Sequence, residues 1–359
     1  MRKIIYVVVI LLLLASCTQR SDSLVSTEGI VSYNLAEIES KLEEVSDTDA
    51  GYADDKAITQ EKDDSEKILL NLDESKPDIF NDTKLFNSVS DYPKIDGSTA
   101  LMPLMAKIME KTCGISKEES EDRTTCSKTA AAWRNLFHKT ADILIVGEMP
   151  QTVKWELNYD RYRFGNENEF EPLLYAPIRR EGLVFITHVD NPVDSLTTDQ
   201  LIKIYTGEID NWKQVGGKNE KIKAYQRNET SGSQANFIKC LMKDIEPQKK
   251  EADYYIGDMA SLAEKVKIYE NEECAIGYSV YYYINNMILK DNLKLIKVNG
   301  IMPSNETIAN NTYPLLTESF VAIRKNEPQG TNARKLYNYI RSNKGKEAII
   351  EANYVPIEQ

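Results

Sequence analysis

From Tyr92 onward, short apolar runs alternate with segments whose apolar residues recur at helical spacing. That pattern lays down strands and helices in turn and predicts an α/β body. Ile95-Asp96-Gly97-Ser98-Thr99 predicts a strand end entering a hydroxyl-bearing turn, and Ala100 to Met109 the helix after it. Pro103 is tolerable there, because a first-turn N–H has no helical partner to lose. Cys126-Ser127-Lys128-Thr129 leads into a second predicted helix, Ala130 to His138. Ala141 to Glu148 predicts a buried strand ending at a carboxylate. Arg227 to Phe237 predicts a third turn opening an amphipathic helix. Before Tyr92 the pattern differs. Ile4 to Leu14 is continuously apolar, and Thr18 to Ser88 has no sustained period apart from Ile30 to Val45, which suits a short helix.

The apolar start follows Met1-Arg2-Lys3 and closes on Leu14-Ala15-Ser16-Cys17. It is short for a membrane span and has the flanks of an export signal. Residues 1–16 are read as a lipoprotein signal peptide and Cys17 as the lipidated first residue, since Leu-Ala-Ser-Cys resembles a bacterial lipobox. An ordinary signal cut elsewhere, or a membrane anchor, is the plainer alternative. Thr18 to Ser88 holds 18 Asp and Glu against 7 Lys and Arg, a net −11, while the whole chain is −12. Residues 17–91 are therefore read as a solvated acidic tether that buries too little surface to order itself. The acidity says little about a ligand. No basic patch or zinc spacing argues for nucleic acid or metal.

Candidate chemistry sits at the helix starts. The first turn of a helix carries free N–H groups and the positive end of the macrodipole, worth about 0.3–1 kcal/mol each to an anion. Ser98-Thr99, Thr129 and Ser231-Gly232-Ser233 stand at three such starts, and Arg227 adds a planar, permanently charged fork. Ser and Thr are also ordinary N-caps. Three starts together with an Arg nevertheless point to one oxyanion site, because burying a dianion costs far more than one start returns.

Of the five cysteines, Cys113, Cys126, Cys240 and Cys274 remain after Cys17. Two disulfides in any of three pairings are possible, Cys113–Cys126 and Cys240–Cys274 being favoured, or all four are buried thiols. His138 and His188, the only histidines, read as structural. No nucleophile–base pairing or metal cluster suggests an enzyme, and no cofactor is expected. Tyr281-Tyr282-Tyr283 is expected to pack one face of a helix and expose the other. Lys218 to Lys221 reads as a solvated turn.

In order, these segments resemble the phosphate-binding proteins of bacterial ABC importers, from roughly Tyr92 to Gln359. Gly97-Ser98-Thr99-Ala100-Leu101-Met102-Pro103 is similar to the family's first phosphate loop, and Arg227 to Ser233 has its Arg-x-x-x-Ser-Gly-Thr spacing with Ser233 for Thr. Leu196-Thr197, Tyr205 to Trp212, Ile276-Gly277-Tyr278, Tyr313-Pro314-Leu315 and Tyr354-Val355-Pro356-Ile357 resemble later signatures. The resemblance implies a two-lobed type II periplasmic-binding-protein-like fold, each lobe a central mixed sheet flanked by helices and joined by two crossing strands. Lobe one would hold 92–188 and 316–359, lobe two 189–315, with crossings near Phe185 to Asn191 and Pro314 to Ile323. It implies that Ser98, Thr99, Leu101, Thr129, Arg227, Ser231, Gly232 and Ser233 hold inorganic phosphate. Thr129 stands where the family has a second-loop serine, although Ser-Lys-Thr-Ala departs from its Ser-Gly-rich loop. Glu148 is the candidate for the carboxylate that accepts the ligand's proton, or else a solvated loop residue. The implied partners are phosphate, ABC permease subunits, and a bacterial envelope membrane reached through lipid on Cys17, for a monomer facing outside the cytoplasm. A sensing or adhesion module of the same fold, or one with a different oxyanion, is the alternative.

Overall fold

The computed structural model describes residues 70–76, 80–81, 84–163, 171–270, 273–288 and 292–357. The apolar start, Cys17 and the acidic stretch up to residue 69, with Ile30 to Val45, lie outside the described residues. Thirteen strands are described: β1 (Leu70–Leu72), β2 (Ile95–Gly97), β3 (Ile143–Val146), β4 (Leu173–His188), β5 (Ser195–Leu196), β6 (Lys221–Ala224), β7 (Gln226–Arg227), β8 (Tyr255–Ile256), β9 (Tyr269–Glu270), β10 (Glu273–Val280), β11 (Leu293–Val298), β12 (Leu316–Arg324) and β13 (Val355–Pro356). The helices are α1 (Met102–Cys113), α2 (Lys117–Arg123), α3 (Thr129–Phe137), α4 (Gln151–Arg163), α5 (Thr198–Thr206), α6 (Gly232–Phe237), α7 (Met259–Val266), α8 (Tyr281–Tyr283), α9 (Asn305–Ala309), α10 (Asn332–Arg341) and α11 (Asn343–Glu351). The alternation anticipated from Tyr92 onward is present, with short 3-10 turns at Thr99–Leu101 and Trp212–Val215.

The sixteen-residue strand β4 organises everything. Its first part, Leu173 to Gly182, pairs antiparallel with β12, and β1 and β13 also lie along this part. From Leu183 to His188 it pairs instead with β10 and β11. The partner changes at Gly182/Leu183, where the Leu183 N–H donates to the Leu315 carbonyl at 2.9 Å and Leu316 faces Gly182. The chain therefore passes between two halves at 182/183 and again at 315/316. The first crossing precedes the expected Phe185 to Asn191; the second falls inside Pro314 to Ile323.

Each half has its own core. In β3 all four residues are buried: Ile143 and Ile145 join Leu104, Ile108, Val321 and Leu336, while Leu144 and Val146 join Trp133, Leu136 and Val153. Alternate side chains of a strand point to opposite faces, so this sheet is covered by helices on both sides. The other half packs Phe185, Tyr205, Trp212, Phe237, Ile276 and Tyr278. Full burial contributes about 1.5–3 kcal/mol per large apolar side chain, and each half sums many such contributions against the entropy of ordering its chain.

Three sequence expectations need correction. The folded body begins before Tyr92: β1 pairs with β4, Asp73 bonds Arg341 and Tyr337, and Phe86 is in the core. The acidic composition hides a three-residue Leu-Asn-Leu strand and one apolar anchor. Tyr281, Tyr282 and Tyr283 are all buried, because α8 is a single turn wedged between the two cores rather than a surface helix. Cys113, Cys126, Cys240 and Cys274 are all free thiols. Cys126 Sγ faces Thr99 Oγ1 at 3.8 Å, Cys240 Sγ the Leu316 carbonyl at 3.2 Å, and Cys274 Sγ the Thr187 hydroxyl at 3.5 Å, so these three sulfurs have separate neighbours. Burial raises the thiols of Cys113 and Cys274 and pushes Cys240 up to about 11, which makes them inert.

Candidate functional site

The first helix start is set by a close approach of backbone. A Cβ on Gly97 would stand 2.0 Å from the Ile145 carbonyl, so only glycine lets β2 end hard against β3. Ser98 Oγ then accepts from the Gly147 N–H at 3.0 Å and lies 2.9 Å from Thr129 Oγ1, with both hydroxyl residues buried. Asp96, buried behind them, accepts from the Ser127 N–H at 2.7 Å and Asn135 Nδ2 at 2.8 Å, which pins the loop ahead of α3. In that loop Lys128 has φ 70° and ψ 165°, a region reserved almost wholly for glycine. The strain turns the start of α3 toward Ser98. The third start, α6, is capped by Ser231 Oγ, which accepts from the Ser233 N–H at 3.2 Å; a π-helical turn, Ile238–Met242, continues the helix.

Arg227, on the short strand β7, is 5% exposed. Its Nε donates to the Ile256 carbonyl at 2.9 Å and Nη2 to the Gly257 carbonyl at 3.1 Å, while the backbone N–H donates to the Tyr278 hydroxyl and Gln234 Oε1. Nη1 is buried and has no partner. Burial lowers the Arg227 pKa, with Tyr278, Asp258 and Tyr283 opposing; an arginine stays charged regardless. A buried donor left unmade is costly, so an unpartnered guanidinium nitrogen asks for an acceptor.

The cavity measures about 560 Å³ and takes walls from both halves. Ser98, Thr99, Leu101 and Thr129 line it from one side; Arg227, Ser231, Gly232 and Ser233 line it from the other. The eight residues therefore share one space. The approach is tight: a Cβ on Gly232 would lie 2.6 Å from Thr129 Oγ1 and 3.1 Å from its Cγ2. Glu148 is not with them. It lines a separate cavity, about 1100 Å³, where it binds Lys239 Nζ at 2.6 Å and lies 3.7 Å from Lys154 Nζ. Gly147 faces the 560 Å³ cavity, and the next side chain in an extended chain turns the other way.

Several lining residues escaped the sequence reading. Arg179 and Glu181, on β4 beside the crossing, form a buried ion pair; the Arg179 guanidinium lies 4.4 Å from the centre of the Tyr354 ring, and Glu181 Oε1 accepts from the N–H groups of Gly182 and Tyr282. A charged Arg-Arg-Glu run inside a long apolar strand was the signal available. Lys128, Asn236, Asp258 and Tyr283 also line the cavity. Asp258 caps α7, accepting from the Ser261 N–H at 2.8 Å and its hydroxyl at 2.7 Å, and these bonds, helped by Arg227 and Lys128, hold its carboxyl below the usual range. Among the described residues no group of three or more His, Cys, Asp or Glu suits a metal ion.

The family description "PBP superfamily domain" matches residues 87–344. The chain is similar to the phosphate-binding protein PstS of Bacillus subtilis, 25% identical over 80% of this chain and 88% of that one. It is similar also to PstS of Borreliella burgdorferi, 28% identical over 50% of this chain and 64% of its relative. Among solved structures it resembles a putative phosphate ABC transporter substrate-binding protein with bound phosphate from Clostridium perfringens, with 20% identity, TM-score 0.53 and coverage of 74% and 98%. An ABC-type phosphate transport receptor from Vibrio cholerae has 23% identity, TM-score 0.51 and coverage of 73% and 98%. The likeness to these structures is one of fold.

Proposed function

The chain belongs to the PBP superfamily, and from that premise we propose that it is an extracytoplasmic receptor that captures inorganic phosphate between its two halves and delivers it to an ABC importer. The observation that carries this reading is Arg227, a buried guanidinium with Nη1 unpartnered, lining a cavity that also gathers three helix starts. Ser98, Thr99, Leu101 and Thr129 would supply hydroxyls and backbone N–H groups from one half, and Arg227 with Ser231, Gly232 and Ser233 those of the other. A ligand bridging the two walls draws them together, a hinge closure about 182/183 and 315/316. The names of the similar proteins support phosphate as the anion.

The same reading makes 70–182 with 316–359 one lobe and 183–315 the other, so that the boundary expected at 188/189 moves to 182/183. It makes Cys17 a lipid-bearing residue that holds a monomer to a bacterial membrane beside its permease. Among the described residues no helix is long and apolar enough to cross a membrane, and the lipid would be the attachment. Isothermal calorimetry on the purified chain tests the central claim. One-to-one phosphate binding at micromolar affinity or better, about −8 kcal/mol, is expected, and Arg227→Ala should abolish the heat. A folded wild-type protein that takes up no phosphate ends the proposal.

A further inference from the structure

Two short pieces of backbone border both cavities. In one half Gly147 lines the 560 Å³ cavity and Glu148 the 1100 Å³ cavity. In the other half Gly232 and Ser233 line the first, while Ile238 and Lys239, about two turns further along the same helical stretch, line the second. Lys239 Nζ donates to Glu148 Oε2 at 2.6 Å, so this ion pair is a bond between the halves. Lys154 Nζ, on α4, lies 3.7 Å from Glu148 Oε1, and the Glu148 side chain is only 14% exposed. Lys154 belongs to the same half as Glu148, so the carboxylate keeps a cation beside it whether or not the halves meet. The Thr152 hydroxyl donates to the Glu229 carbonyl at 3.5 Å, a longer crossing near the same cavity. Burial lowers the Lys239 pKa, but Glu148 and Glu318, both in the opposite half, carry it above its ordinary value.

We propose that Glu148 and Lys239 are positioning residues of this receptor: their ion pair forms when the halves come together, beside the phosphate cavity, and slows the release of phosphate. The inference rests on the reading of the 560 Å³ cavity as a phosphate site. Neither side chain touches the ligand in this account. Glu148 follows Gly147, whose N–H donates to Ser98 Oγ at 3.0 Å, and Lys239 continues the helix that Ser231 caps. The pair therefore ties together the two walls that phosphate bridges. A contact present in the closed form and absent from the open one adds its free energy to closure. It acts on release, since the halves must part before phosphate leaves, and hardly on capture, which occurs while they are apart. The Lys239 side chain is 58% exposed, which keeps the effect at the scale of a surface pair.

The test is stopped-flow phosphate binding and release by the full chain, read by tryptophan fluorescence, since Trp133 and Trp155 line the 1100 Å³ cavity, with calorimetry for the dissociation constant. Lys239→Met should release phosphate about two- to fivefold faster, the scale of a lost surface pair. The dissociation constant should rise by the same factor and the association rate stay level. Lys239→Arg should restore the wild-type release rate. Added to Glu148→Gln, Lys239→Met should change nothing further, because the pair is already gone. The ratio of variant to wild-type release rates should fall toward one in about 1 M sodium chloride, where charges are screened beyond about 3 Å. Phosphate bound by the wild type and released no faster by Lys239→Met overturns the inference and leaves the phosphate receptor standing. A change confined to the association rate overturns it too, as do effects of the two substitutions that simply multiply. A folded wild type that takes up no phosphate ends both readings. Lys239→Met decides by itself if Glu148→Gln fails to fold.

Discussion

Gly232→Ala isolates closure from folding. The added Cβ would lie 2.6 Å from Thr129 Oγ1, 3.1 Å from Cγ2 and 3.3 Å from Cβ, all atoms of one residue in the opposite half. Thr129 has little room to yield, for it is β-branched, begins α3, and its hydroxyl is 2.9 Å from Ser98 Oγ. Within its own half the substitution is benign. Gly232 is the first residue of α6, its φ is not positive, and alanine there favours the helix by about 0.5–1 kcal/mol. Overpacking of this kind costs about 1–3 kcal/mol, and a cleft that opens when empty would not bear it. Phosphate affinity should therefore fall about 5- to 150-fold, while ligand-free thermal stability stays level or rises slightly. Calorimetry gives the first number and a ligand-free melt the second. An unchanged dissociation constant would refute the claim that the halves meet at Gly232 and Thr129; a large drop in the ligand-free melt would refute the claim that the clash is confined to the closed form.

Lys128→Gly should stabilise the ligand-free protein by about 1 kcal/mol, the difference between about 1–3 kcal/mol of relieved backbone strain and the extra freedom glycine gives the unfolded chain. A urea titration that shows a loss instead refutes strain at the α3 start. The carboxyl of Asp258 titrates lower in the folded than in the unfolded chain, whose ordinary value is 3.8. Its contribution is thus fully present above that value and lost as pH falls through the lowered one. The wild-type advantage over Asp258→Asn in urea midpoints should shrink on acidification below about pH 4, and an advantage that grows instead counts against the cap. Finally, denaturation without reductant should expose Cys113, Cys126, Cys240 and Cys274 as four reactive thiols, and any shortfall among these four argues for a bridge.

The helix starts were legible because hydroxyl-rich turns before apolar periods are local signals, and Arg227 stands a fixed few residues from one of them. That the three share a cavity depends on β4 changing partners, which no local pattern encodes. Glu148 was misassigned for a similar reason: the residue type was right for the chemistry, but the alternation of side chains along an extended segment gave the cavity to Gly147. Cysteine spacing cannot tell a bridge from four separately lodged sulfurs. The β1 strand was missed because its three residues sit in a strongly acidic context, and its value comes from β4, about a hundred positions away.

Tyr354 binds the molecule together across a long stretch of sequence. Its hydroxyl donates to the Ala100 carbonyl at 2.8 Å, across 254 positions, its ring stacks on Tyr282, and the Arg179 guanidinium rests over it. A ribosome must therefore make Tyr354 before the wall behind the first helix start acquires its last support. A nascent chain that leaves the ribosome, or threads a translocation pore, N-terminus first would reach either with its cleft still unfinished. Assembly of the binding pocket is in this way deferred until almost everything upstream has been synthesised.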